Sequence, residues 1–196
     1  MIGESQMQSN DDKVGKLPDL SGLADRMAIQ EVLAVHCRGV DRADARILKS
    51  AYWPDAEVAY GGFEGSAQEF CELLPKSLLR YARTHHAISN TLITFVDGGE
   101  RREAVVETYV TAQHYSTAED SSQSAQEREM TFFGRYFDRF QLRDSNWKIS
   151  HRRVLMDWNQ NTQASALWVG PPFDGLTRGG RFPEDPLYTI LDDAGV

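Results

Sequence analysis

The sequence of 196 residues predicts an α+β fold, a cone-shaped curved antiparallel sheet covered by N-terminal helices. Three observations carry that expectation. Apolar residues recur at helical spacing through most of the first 83 positions, they alternate with polar ones from 86 onward, and clear turn signals divide the alternating stretch into long strands.

Residues 1–20 are polar and aperiodic and read as a flexible leader. The domain is expected over 21–160. The Gly- and Pro-rich stretch 161–196 reads as a C-terminal extension of that domain, wrapping its surface or a neighbouring subunit. Leu23, Met27, Val32 and Val35 place a helix over 22–38, with Ser21 as N-cap and Gly39 near the stop. A short second helix covers 43–52, ended by Pro54. "AEVAYGGFEG" reads as a short strand breaking at Gly61-Gly62. A third helix spans 66–83, where Phe70, Leu73, Leu74, Leu78 and Tyr81 form an apolar stripe that Pro75 kinks. Strands follow near 86–96, 102–115, 128–142 and 147–158. The first pair turns at Asp97-Gly98-Gly99, the last around Asp144-Ser145-Asn146, and the polar loop "TAEDSSQSAQE" separates the two pairs. A sheet curled against helices leaves a cone whose mouth can take an apolar ligand.

The formal charge of −8 argues against nucleic acid or an anionic membrane as partner. No apolar run approaches the length of a membrane span, and the N-terminus lacks the basic start and apolar core of a secretory signal. With Cys37 and Cys71 read as reduced, buried thiols, the expected compartment is cytoplasmic.

No phosphate-binding glycine loop, zinc cysteine pattern or nucleophile elbow is present, so neither metal nor cofactor is expected. What remains is His, Asp, Tyr and Arg at element ends. His86 opens a strand in "RTHHAISNTLI" and could serve as a base near neutral pH, with Asp41 as its orienting carboxylate. Equally, His86 could be a satisfied histidine and Asp41 a helix cap. Tyr60 is open to packing or catalysis, and Arg143, just before a turn, reads as a solvated charge. His36 could simply meet the last carbonyls of the first helix. His85 faces away from His86 if both lie in one strand.

"ADRMAIQEVLAVHCRGVDRAD", "YWPDAEVAYGGFEG", "THHAISNTLI" and "NWKISHRRVLMDW", in this order, resemble SnoaL-like proteins of the nuclear-transport-factor-two-like superfamily. The resemblance extends to its cofactor-free lyases: lindane dehydrochlorinase, bile-acid 7α-dehydratase and, more distantly, scytalone dehydratase. It implies a catalytic His86–Asp41 dyad in the cone, with Tyr60 at the position of the tyrosine of the two dehydratases. It also implies substrate-binding positions at His36, where the related enzymes carry Lys or Tyr, and at Arg143, matching an arginine of the dehydrochlorinase.

The function expected is a cofactor-independent lyase acting on a hydrophobic, aromatic, hydroxylated small molecule. Elimination of water or halide is one outcome. The other is C–C cleavage releasing a small aldehyde such as formaldehyde from a lignin-derived aromatic diol. Alternatives within the superfamily are the non-catalytic β-subunit of an aromatic-ring-hydroxylating dioxygenase and a small-molecule binding module. A homo-oligomer is expected, as in many members.

Overall fold

A computed structural model describes residues 15–96, 102–117 and 126–195. Chain order is α1 (Leu20–Asp41), α2 (Ala45–Ser50), β1 (Tyr52–Tyr60), β2 (Phe63–Ser66), α3 (Ala67–Leu78), β3 (Arg83–Val96), β4 (Glu103–Ser116), β5 (Arg128–Arg143), β6 (Asn146–Gln163) and α4 (Pro186–Asp193). Six strands form one curved, unclosed sheet in the order β2-β1-β6-β5-β4-β3. The expected α+β architecture, with helices over one face, is what the chain adopts. No helix among the described residues is long and apolar enough to cross a membrane.

The four long strands form the expected antiparallel meander. One pairing departs from it: β1 runs parallel to β6. β1 also takes in Pro54, read from sequence as a stop. The ladder to β6 shifts register between Tyr52 and Glu57, and such an irregular stretch tolerates a residue without an N–H.

Helix α1 starts earlier and runs longer than its periodicity suggested. Asp19 is the N-cap, its carboxylate accepting the Gly22 N–H at 2.7 Å. Gly39 does not stop the helix; it lets α2 approach. A Cβ there would stand 2.7 Å from the Leu48 backbone, so only glycine fits beneath α2. The helix therefore continues to Asp41. Asp44 caps α2 through the N–H groups of Arg46 and Ile47. Helix α3 ends at Leu78, earlier than expected, and keeps Pro75 inside it. β3 correspondingly begins at Arg83. The tail adds α4, which the sequence reading did not anticipate, opened by Asp185 as N-cap and Pro186 in the first turn. The Asp97-Gly98-Gly99 turn, most of the leader and much of the polar loop lie outside the described residues.

The core lies between the helices and the inner sheet face. Ile29, Leu33 and Val40 of α1, Leu48 of α2 and Phe70 of α3 pack onto Val58, Val106, Phe140 and Ile149. Alternation on β4 sends Val106, Thr108, Val110, Ala112 and His114 inward, so the apolar row ends in a histidine. Cys37 and Cys71 are free and buried.

Candidate active site

Asp41 is the last residue of α1, and His86 lies near the start of β3. Both are 7% exposed. His86 Nδ1 lies 2.7 Å from Asp41 Oδ1, and the His86 main-chain N–H donates to Oδ2 at 2.9 Å. Burial alone would push the Asp41 carboxyl up. The side-chain bond and charge of His86, its main-chain N–H and the Thr84 hydroxyl more than offset that, and hold it below the usual carboxylate value. An ionised Asp41 makes Nδ1 the protonated nitrogen and leaves Nε2 with a free lone pair. That tautomer can accept a proton. His85, one residue earlier, is exposed, as strand alternation requires.

The side chain of His114, on the inner face of β4, meets His86 edge to face, with centroids 5.5 Å apart and planes at 80°. Its Nδ1 is buried without a hydrogen-bond partner among the described residues. Burial, then the charge of His86, lowers His114 to about 4, so it is neutral at physiological pH. His114 also forms part of the wall of a cavity of about 390 Å³, together with Tyr60, Phe63, Phe70, Tyr81 and Phe132. Tyr60, at the end of β1, stacks obliquely on Phe70 at 5.2 Å. Burial raises its phenol, which stays protonated and able to donate. Tyr60 and His114 thus share one aromatic chamber, and His86 stands directly beside His114. The Asp41–His86 pair also borders a second hollow of about 490 Å³, lined by Cys37, Arg38, Asp185 and Leu187 among others.

His36 is buried at 1% exposure in α1. Its Nδ1 is 3.2 Å from the Tyr52 hydroxyl, and its ring meets Tyr52 and Tyr136 edge-on. Burial, the Arg152 charge and the His86 charge hold its pKa well below the ordinary histidine value. It is a neutral residue of the cone's floor.

Arg143 does not join this group. Its guanidinium pairs with Asp55 at 2.7 Å, bonds Gln141 and lies over the Trp53 ring. In register with His86 across β4 is Phe132, and Arg143 lies eleven residues further along β5, roughly 35 Å of strand.

The arginine inside the cone is Arg152. Fully buried, it forms a bidentate pair with Asp138 on the neighbouring strand, at 2.8 and 2.7 Å. It lies 4.0 Å over the Tyr136 ring, and its Nη1 has no hydrogen-bond partner among the described residues. Its charge reaches His36 and the Tyr60 phenol. Simple alternation from Ile149 would have put His151 and Arg153 inside. Opposite Arg139 and Phe140, however, β6 carries one extra residue, Ser150, and this bulge turns Arg152 inward. His114, by contrast, shares parity with Val106 and Val110 and was open to detection. Among the described residues, no cluster of three or more His, Cys, Asp or Glu side chains could hold a metal ion.

Residues 21–153 match the SnoaL-like domain. No curated protein sequence matches the chain. Among solved structures, the chain is similar to a hexachlorocyclohexane dehydrochlorinase, LinA type 2, at 24% identity. The match covers 79% of this chain and 99% of the other, with a TM-score of 0.62. A Novosphingobium aromaticivorans protein assigned as a scytalone dehydratase is 23% identical over 74% of this chain and 91% of its own, with a TM-score of 0.59. A second protein from that organism, assigned as an aromatic ring hydroxylase, is 18% identical over 75% and 96%, with a TM-score of 0.60. At such identities the structures establish a shared fold and nothing finer. On the match over residues 21–153, the chain belongs to the SnoaL-like domain family of the nuclear-transport-factor-two-like superfamily.

Proposed function

We propose that this protein is a cofactor-independent lyase that uses His86 as its base on a hydrophobic, aromatic, hydroxylated small molecule. The observation that carries the reading is the buried Asp41–His86 pair, whose geometry leaves Nε2 as the proton acceptor; the pair borders its own hollow, and His114 stands between His86 and the aromatic chamber. His86 removes a proton from a carbon or a hydroxyl of the substrate, and Asp41 stabilises the imidazolium that forms. Tyr60, kept protonated, donates a hydrogen bond to the departing or developing oxygen. Arg152 supplies positive potential from the floor of the cone, and Arg143, the substrate-binding position that the resemblance implied, takes no part. His36, neutral and bonded to Tyr52, shapes that floor. Such an arrangement supports loss of water or halide. It also supports deprotonation of a hydroxyl with cleavage of the adjacent C–C bond: an aldehyde, formaldehyde being the smallest, is released, the electron pair of the broken bond forms an alkene and expels a neighbouring hydroxyl, and that hydroxyl leaves as water with the proton held by His86.

The similarity to a LinA dehydrochlorinase and to a protein assigned as a scytalone dehydratase supports a lyase within this fold. The experiment is to incubate the pure protein with a panel of aromatic alcohols, chlorinated substrates and diols, and to identify products by mass spectrometry. Alkene or aldehyde products formed without added metal or nucleotide support the reading. If no member of the panel is turned over while several bind, the binding-module alternative takes its place. Co-purification with a larger iron–sulfur subunit would instead favour a dioxygenase β-subunit.

Self-association through the outer sheet face belongs to the same proposal. Trp158, in register with Phe133 on that face, stacks on it at 4.0 Å yet remains 53% exposed. Light scattering at micromolar concentration is expected to show an oligomer; a strict monomer contradicts it.

A further inference from the structure

The SnoaL-like match ends at residue 153 and the last strand at Gln163, yet the chain beyond them returns to the dyad. Arg181 is the point of contact. Its Nη1 donates to the main-chain oxygen of Asp41 at 2.7 Å and to the Thr84 hydroxyl at 2.8 Å. Its Nη2 donates to the carbonyls of Tyr81 at 3.2 Å and Leu78 at 3.5 Å. These acceptors belong to the end of α1, the end of α3 with the turn after it, and the start of β3. The three elements that place Asp41 and His86 are therefore tied together by one guanidinium. A planar fork of donors can do this, and a lysine ammonium cannot reach so many acceptors.

Arg181 is itself fixed on both sides. The Phe182 N–H donates to the Arg42 carbonyl at 2.7 Å, and the Arg46 guanidinium lies 4.4 Å over the Phe182 ring. Arg42 in turn reaches the Gly180 carbonyl at 2.9 Å and Asp185 at 2.7 Å, and the Tyr188 hydroxyl donates to Asp44 at 3.0 Å. The segment from Gly180 to Tyr188 is a clasp on the α1–α2 junction, with Arg181 pointing inward from it.

We infer that Arg181 is a positioning residue for the dyad, acting on Asp41 through its main chain and through Thr84. With its lone pair engaged by Arg181, the Thr84 hydroxyl directs its proton toward the Asp41 carboxylate, which it helps to hold ionised. Asp41 then fixes the tautomer of His86. The inference rests on the reading of His86 as a base. Its structural part, control of the tautomer, can be measured without any substrate.

The test compares the full-length wild type with Arg181→Gln, Thr84→Val and Arg178→Gln, each carrying ¹⁵N-labelled histidine. Arg178 bonds only the tail's own carbonyls of Trp168 and Phe173 among its described partners, and serves as the control. In the wild type, His86 is expected to show one protonated and one bare ring nitrogen. In Arg181→Gln and in Thr84→Val, the two nitrogen shifts should move toward each other, while Arg178→Gln matches the wild type. On a substrate, both dyad-linked variants should lose roughly tenfold in kcat, with KM changed less than about twofold. Thr84→Val carries the test if Arg181→Gln does not fold. Unchanged His86 shifts in the folded variants, or equal shifts in the Arg178→Gln control, overturn the inference. A wild type that turns nothing over but shows the tautomer response overturns the lyase reading and leaves the positioning role standing.

Discussion

His114 stands between His86 and the aromatic chamber: its ring lies 5.5 Å from that of His86 and forms part of the chamber wall beside Tyr60. No described hydrogen bond reaches its Nδ1, so nothing offsets the cost of charging it. A substrate in the chamber would meet His114 as a neutral imidazole.

That arrangement fixes a pH dependence of stability. His114 titrates at about 4 in the folded chain and near 6.5 when unfolded. A depressed histidine favours folding in its neutral form, so its contribution is complete above pH 6.5 and is lost as pH falls from there to about 4. The loss is on the order of 3 kcal/mol. Asp41, held low, contributes stability that is present above the unfolded Asp value near 3.9 and lost below it, so the two windows separate. Urea unfolding between pH 7 and 4 should show His114→Phe with a distinctly flatter profile than the wild type. Parallel profiles would contradict the assignment.

Arg152 and Asp138 should behave as a unit. Arg152→Met leaves a carboxylate buried without its partner and should cost about 3–5 kcal/mol, while the double change to Met and Leu should recover most of it. The double variant should nonetheless lose turnover, because the positive potential in the cone is gone. Full activity in a folded double variant would remove Arg152 from the mechanism.

Much of this was legible in the sequence, for identifiable reasons. The alternation on β4 and the polar turn at Asp144-Ser145-Asn146 are local patterns, and each appears where its spacing placed it; α1 is helical as expected, but its buried face is Ile29, Leu33, His36, Cys37 and Val40, and Leu23 and Met27 of the expected stripe are exposed. The approach of Asp41 to His86 is not local; residue chemistry offered the pair as one of two readings, and the family resemblance favoured it. Arg152 was hidden by the bulge at Ser150, since inserting one residue reverses the face of every residue that follows. Arg181 was hidden because an arginine in a Gly- and Pro-rich tail, three residues from Arg178, has no periodicity to betray its contacts. The parallel β1–β6 pair likewise depends on how β1 is returned to the sheet, which spacing does not encode.

Tyr60 offers a narrower test of the chamber. Tyr60→Phe keeps the ring against Phe70 and removes only the hydroxyl. Turnover should fall roughly 10- to 100-fold with KM nearly unchanged, since the hydrogen bond would strengthen in the transition state. A rise in KM at constant kcat would mean that the hydroxyl merely binds substrate.

The central claim is that His86, oriented by Asp41, is the base. The most direct measurement is steady-state turnover of one identified substrate by wild type, His86→Ala and Asp41→Asn, alongside their thermal midpoints. His86→Ala should lose on the order of a thousandfold or more in kcat, with the fold intact by circular dichroism. Asp41→Asn should be similarly impaired, because an amide in place of the carboxylate no longer enforces the Nδ1–H tautomer. A folded His86→Ala protein that retains wild-type turnover would contradict it.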